Sequence, residues 1–159
     1  MKDLCNLYTD LLKDSVDIVR VFAIESTKAL LSKLNQEQNT KLVRNFSTMI
    51  EKDKSWRVKY AAGEQICELC SLYSQEYNDA NFLPLIVKFL KDPEPEVRTA
   101  VLSKFNNIIG RISMTKFVEQ IIPVFNENIS NDNNHHVRAV FATTIVSCSK
   151  SLGKINQII

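Results

Sequence analysis

The chain has 159 residues, 45% of them hydrophobic and 24% charged, which suffices for one ordinary folded domain and excludes a disordered or linker-rich chain. Twenty basic against eighteen acidic residues leave a net charge of +2, a balance that makes no case for nucleic acid or an anionic membrane as partner. No apolar run reaches the ~18 residues of a membrane span, and Met1-Lys2-Asp3 lacks the apolar core of a signal peptide, so a cytoplasmic protein is expected, with the nucleus as a second compartment.

The first predicted helix places Leu4, Leu7 and Leu11 on one face, and Asp14 opens the turn that follows it. Five residues on, Val19-Arg20 starts a second helix whose apolar face is Val19, Phe22, Ala23, Leu30 and Leu34, the spacing of 3.6 residues per turn. The arrangement then returns with Val43, Phe46 and Ile50 before Asp53, and Val58-Lys59, Ala61, Ala62, Leu69 and Tyr73 after it. A third copy has Phe82, Leu85 and Phe89, then Asp92, then Val97-Arg98, Ala100, Val101, Ile108 and Ile112. The fourth has Ile122, Phe125 and Ile129, then Asp132, then Val137-Arg138, Val140, Phe141, Cys148 and Leu152.

The four aspartates are separated by 39, 39 and 40 residues. Each unit is therefore a helix A, a short turn holding the aspartate, and a helix B of roughly four turns. The units run over about 3–34, 40–73, 79–112 and 115–152, with the start of a further one at 153–159, in a single segment spanning 1–159. A helix pair cannot cover its own apolar faces, so consecutive pairs must stack. The predicted fold is all-α, an α-solenoid of antiparallel helix pairs.

The local signals agree with these boundaries. In "KDPEPEVRTAV", Pro95 suits the first position of helix B, where a missing N–H has no partner to lose. Ser55 and Asn134 stand at the equivalent junction and can cap the first turn. Polar stretches at 35–40, 74–81 and 110–115 connect the units. Gly110 and Gly153 fall where helix B is expected to stop. Pro84 is tolerable early in its helix A, whereas Pro123 lies deeper and predicts a kink. The stretches 4–12 and 155–159 lack the polar outer faces of capping repeats, so self-association or fraying is expected.

Chemistry-bearing motifs are few. Cys67-Glu68-Leu69-Cys70 has the C-x-x-C form but no second ligand pair at suitable spacing, so Cys5, Cys67, Cys70 and Cys148 read as reduced packing thiols, with no metal and no cofactor. There is no phosphate loop, no H-E-x-x-H and no G-x-S-x-G, so no catalytic residue is assigned and no enzyme is expected. Asp53 and Trp56 could be read as the acid and aromatic of a base-excising enzyme, but that chemistry wants a basic groove and the chain is near neutral.

Taken together, the period, the turn aspartate and D-x-x-x-x-V-R resemble the HEAT repeat; Lys59 departs from it only by replacing arginine. "DKSWRVKYAAGEQICEL" (53–69) further resembles the scaffolding A-subunit family of protein phosphatase 2A, and "KDPEPEVRTAV", "NDNNHHVRAVFATTIV" and "SLGKINQII" read as successive repeats of the same kind. The resemblance implies a non-catalytic scaffold whose intra-repeat turns hold the regulatory subunit of a phosphatase and, in the full-length protein, its catalytic subunit. The partner-binding candidates it implies are Lys54, Ser55, Trp56, Arg57, Glu94, Glu96, Asn134, His135 and His136. It also implies a structural ladder of Asp14, Asp53, Asp92 and Asp132 with Arg20, Lys59, Arg98 and Arg138. Neither nucleic acid nor membrane is implied as a partner. Another HEAT-type adaptor, such as a nuclear transport receptor, is the alternative.

Several of these residues read two ways from sequence. Trp56 is either a binding anchor or a plate packed over the neighbouring turn. The acids Glu94 and Glu96 either attract a basic partner or favour the helix dipole. The pair His135-His136 is either a pH-sensitive contact or part of a polar turn. The core assignment itself predicts that Val97→Asp costs several kcal/mol and loosens the adjoining units. A thermal melt checks this, and a variant melting with the parent would refute the assignment.

Overall fold

Each of the four turn aspartates lies between the end of one helix and the start of the next. The computed structural model describes the backbone over residues 2–155 and the side chains over 3–149. The first pair consists of α1 (Lys2–Leu11) with α2 (Asp17–Glu25) and α3 (Thr27–Leu31). The second is α4 (Gln36–Lys52) with α5 (Trp56–Leu69), which runs on into a 3-10 turn at Cys70–Leu72. The third is α6 (Gln75–Asn81) and α7 (Leu83–Leu90) with α8 (Pro95–Ser103). The fourth begins with α9 (Met114–Lys116) and α10 (Ile122–Val124), interleaved with π-helical turns at Phe117–Ile121 and Phe125–Ile129, and ends with α11 (His135–Ile155).

No strand occurs among the described residues, and the architecture is an all-α, HEAT-like solenoid. The second helices form its spine: α2 packs on α5, α5 on α8, and α8 on α11. On the other side α1 lies against α4, while α7 contacts both α5 and α8. One continuous apolar cluster runs through all four pairs, with Phe46, Phe82, Phe89 and Phe105 fully enclosed. Burying each such side chain is worth roughly 1.5–3 kcal/mol, and here that burial is shared between neighbours. Phe125 lies 5.0 Å from Phe105 and 4.9 Å from Phe141, ring centre to ring centre, which ties α8's end to the fourth pair. Gly63 allows the closest approach of α5 to α8, since a Cβ there would stand 3.2 Å from Val101 Cγ2.

The helices are less regular than the apolar columns predict. Ser26 interrupts the second helix of the first pair between α2 and α3. Phe82 breaks α6 from α7, which brings Pro84 into the opening turn of a new helix, where it costs no hydrogen bond. Around Pro123 the backbone widens into π-helical turns, and Ile122 N–H reaches back to Phe117 O; this accommodates a residue that cannot donate in an α-helical ladder. α8 has 9 residues, short of the expected four turns, and gives way to a 3-10 turn at Phe105–Asn107. Asn106, Asn107 and Gly110 are weak helix formers, and Gly110 takes a left-handed backbone with φ 75°. Gly153 does not stop its helix, because α11 continues through it to Ile155.

Burial corrects part of the predicted core. Leu4, Leu7 and Leu11 are exposed, while Tyr8 in α1 and Leu12 just after it are buried. Phe22 is 62% exposed and Ile122 is also open. No described element packs on those sides of the first and last pairs. Apolar columns mark both within-pair and between-pair faces, and an interface column stays bare wherever it has no neighbour. The Leu152 side chain and residues 156–159 lie outside the described residues, as does most of the further repeat expected at 153–159. Among the described residues no helix is long and apolar enough to cross a membrane.

Several ionisable groups are enclosed in this core without a charged partner. Burial pushes the Tyr8 hydroxyl up to about 12, opposed by its bond to Thr27, and raises Tyr73 to about 12. Burial likewise raises the Cys70 thiol to about 12 and the Cys67 thiol well above its usual range. The folded chain thus keeps protons that the unfolded chain releases from pH ~8.5 (thiol) and ~10 (phenol) upward. Their stabilisation is complete below those values and disappears as pH rises toward 12. The midpoint of urea unfolding is expected to fall steadily between pH 9 and 11.5, and Tyr8→Phe to flatten the slope.

Candidate functional site

The turns share one local construction. Each aspartate accepts a hydrogen bond from the backbone N–H two residues on: Val16 N to Asp14 Oδ1 at 2.8 Å, Ser55 N to Asp53 Oδ1 at 2.9 Å, Glu94 N to Asp92 Oδ1 at 3.0 Å, and Asn134 N to Asp132 Oδ1 at 2.9 Å. This Asx turn closes the corner between helix A and helix B. At Asp53, Asp92 and Asp132 the carboxylate also takes a charged partner, through its second oxygen in every case.

That partner comes from the preceding repeat. Arg20 donates from Nε to Asp53 Oδ2 at 2.8 Å and from Nη2 to Oδ1 at 3.0 Å, while its Nη1 reaches back to Asp14 O at 2.8 Å. Arg98 repeats this one interface later: Nε to Asp132 Oδ2 at 2.6 Å, Nη2 to Oδ1 at 2.8 Å, and Nη1 to Asp92 O at 2.7 Å and Pro93 O at 2.9 Å. Lys59 spans the middle interface with one contact, Nζ to Asp92 Oδ2 at 2.9 Å. Arg138 binds the carbonyls of Asp132 and Asn133 in its own turn. Arg20 and Arg98 are bidentate on their carboxylates and mostly shielded from water, which gives direction as well as attraction. The ammonium of Lys59 lacks the second donor and the grip on its own turn.

The remaining sequence-derived residues surround this line. Trp56 begins α5, and the Arg57 guanidinium lies over its ring at 4.8 Å. Asp17, in the first turn of α2, gathers this patch: Ser55 Oγ donates to its Oδ2 at 3.0 Å and Arg57 Nη1 lies 3.9 Å from the same oxygen. Ser55 therefore makes no side-chain cap, because its hydroxyl bridges to the neighbouring repeat instead. Lys54 is exposed beside it. Glu94 is the N-cap residue of α8 and Glu96 is in its first turn, both exposed. Asn134 Oδ1 accepts from His136 N at 2.8 Å and Val137 N at 3.4 Å, capping α11, and His135 and His136 face solvent. Lys54, Ser55, Trp56 and Arg57 thus form one patch with Asp17, while the acids of the third turn and the histidines of the fourth occupy separate turns.

Two further sets of contacts hold the loops opposite the turns. Asn39 Nδ2 donates to Leu31 O at 3.1 Å, and Asn78 Nδ2 to Cys70 O at 3.0 Å and Arg111 O at 2.9 Å. Asn39 lies in α4 and Asn78 in α6, so residues 36–40 and 75–81, expected as connectors, are helical; each asparagine ties its helix to the end of the preceding helix B eight residues earlier, and the two are 39 residues apart. That period was available in the sequence, yet it lies within stretches read only as polar connectors. Along the spine Glu68 stands between Lys28 at 3.4 Å and Lys104 at 3.7 Å, a surface relay with no counterpart in the aligned columns. Among the described residues no group of three or more His, Cys, Asp or Glu side chains could hold a metal, and Cys67 and Cys70 are buried thiols.

Stacked helix pairs joined through an aspartate–cation line define a HEAT-like helical-repeat protein. Within that class the chain belongs to the PIK3R4-like, middle domain family, whose profile matches residues 46–154. It is also similar to the beta isoform of the human 65 kDa A-type regulatory subunit of serine/threonine-protein phosphatase 2A, 34% identical over 82 residues covering 49% of this chain and 14% of that protein. Elongation factor 3 of Phytophthora infestans is 22% identical over 124 residues, 75% of this chain and 12% of that protein. The chain therefore spans a small fraction of the length of these relatives.

The ladder geometry carries a direct expectation. Asp92→Ala removes both the acceptor of Glu94 N–H and the partner of Lys59, and is expected to cost about 1–3 kcal/mol. Lys59→Arg supplies the missing fork and is expected to raise the melting temperature, with a gain of about 0.5–1 kcal/mol. Chemical denaturation of the two variants beside the parent checks both signs, and a neutral Asp92→Ala would remove the ladder from the account of stability.

Proposed function

We propose that the chain is a stretch of a non-catalytic scaffold that holds a protein partner along its intra-repeat turns. The single observation that carries this reading is the Trp56–Arg57 patch. A large aromatic ring and a guanidinium stand half-exposed on a turn whose backbone is fixed from both sides by the aspartate line. Such residues supply most of the energy at protein interfaces, and here they are presented without loop-ordering cost. A scaffold of this kind acts by position: it raises the effective concentration of one bound protein near another.

The finer reading is a phosphatase 2A-like scaffold, contacting a regulatory subunit through Lys54, Ser55, Trp56 and Arg57, then Glu94 and Glu96, then Asn134, His135 and His136. It draws support from the stretch DKSWRVKY and from the similarity to the human A-type isoform over 82 residues. The family match and this similarity agree on a helical-repeat scaffold and differ in the assembly they suggest. Capture on an immobilised phosphatase 2A regulatory subunit separates them. The phosphatase reading expects the parent chain to be retained, and Trp56→Ala with Arg57→Ala to wash through at unchanged helicity. A parent chain that is not retained removes the phosphatase. Equal retention of parent and variant removes the patch.

A further inference from the structure

The repeat contains a second cationic column that the aspartate line does not use. One residue before each turn aspartate stand Lys13, Lys52 and Lys91, with Asn131 in the fourth turn. All three lysines are exposed, and among the described residues none of their ammonium groups enters an ion pair or hydrogen bond. Lys13 and Lys52 line the same open hollow of about 360 Å³, together with Leu12, Met49 and Lys54. Its two carboxylates are already engaged: Asp53 by the Arg20 fork and Asp14 by Val16 N–H. Three lysines therefore face an apolar-floored hollow in which Asp14 is the one carboxylate without a cation partner. A cation at the end of helix A does favour that helix's dipole, but this does not account for Lys54, which lies past the helix and lines the same hollow.

We propose that this row of lysines binds an extended acidic segment of a partner protein, with carboxylates about three residues apart. The spacing follows from the stack. Neighbouring helices pack roughly 8–10 Å apart, and a chain in the extended polyproline II form rises ~3.1 Å per residue with about three residues per turn, so every third side chain returns to the same face and meets the next lysine. The row ends at Asn131, which confines the acidic part of the segment to the first three turns. Glu94 and Glu96 stand on the helix B side of the third turn and repel such a segment from that lip, which leaves the lysine side as its track. The apolar floor of Leu12 and Met49 suits a peptide carrying an aliphatic residue between its acids better than it suits a nucleic-acid backbone. This inference rests on the reading that the turns hold a protein partner, and it adds the chemistry of the segment recognised.

The test uses the full chain and fluorescence anisotropy with labelled synthetic peptides. A peptide with glutamate at every third position is expected to bind about tenfold more tightly than one of identical composition with its glutamates contiguous, and to weaken with salt. Lys13→Gln, Lys52→Gln and Lys91→Gln together are expected to reduce that binding about tenfold with an unchanged melting temperature. Equal affinity for the two peptides overturns the proposal, as does tighter binding of a single-stranded oligonucleotide of matched charge. A lysine variant that still binds the spaced peptide overturns the row alone. The Trp56–Arg57 capture experiment does not involve these lysines and continues to test the ridge.

Discussion

At the second, third and fourth turns the aspartate performs two jobs with one carboxylate, and the order of the stack depends on both. One oxygen closes the Asx turn and so sets the angle at which helix B leaves helix A. The same carboxylate receives the cation of the preceding repeat, which sets where one helix pair sits on the next. Apolar packing alone specifies neither: hydrophobic burial is non-directional and tolerates small slides between helices. The arginine fork is planar and directional. Arg20 and Arg98 grip their own turn's carbonyls with one nitrogen and the neighbouring carboxylate with the other two, so a rotation of either pair would break contacts at both ends.

The middle interface shows what happens when one half of that arrangement is weakened. Lys59 has a single contact to Asp92 and none to its own turn's carbonyls. The same interface holds a close helix approach, where Gly63 admits Val101 and Ala100. Tight backbone packing there takes over part of the orienting role that the arginines hold elsewhere. Dispersion between closely fitted surfaces is collectively large, and it is position-sensitive in a way that looser aliphatic contact is not.

The fold was legible because its signal is periodic. Apolar residues recurring at helical spacing, interrupted every 39 or 40 residues by the same turn, leave little room for another architecture. The exceptions have local causes that periodicity does not encode. Leu7 and Phe22 belong to columns that are buried in the next two repeats, and they are open only because nothing described covers that side. The π-helical turns around Pro123 and the early end of α8 reflect single residues acting on the backbone. At the ridge, the columns identified residue types but not hands: Ser55 has the chemistry of a cap, yet Asp17 draws its hydroxyl across the interface. Asp17 itself occupies the position of Trp56, Pro95 and His135 in the other repeats, so no aligned column could have pointed to it.

A line of internally satisfied charges has a consequence for recognition. Where Asp53, Asp92 and Asp132 are bound by cations from the same chain, the centre of the ridge presents little net charge. Beside that neutral line a lysine recurs before the first three aspartates, while the helix B side differs from turn to turn: tryptophan with arginine in the second, glutamates in the third and histidines in the fourth. The scaffold is constant because the ladder is internal, and the surface is variable because the flanking positions lie outside the ladder. Neighbouring turns can then diverge in chemistry without disturbing the stack. This is how a repeated fold can present a non-repeating face, and it is why selectivity along this ridge should reside in residues beside the ladder rather than in the ladder itself.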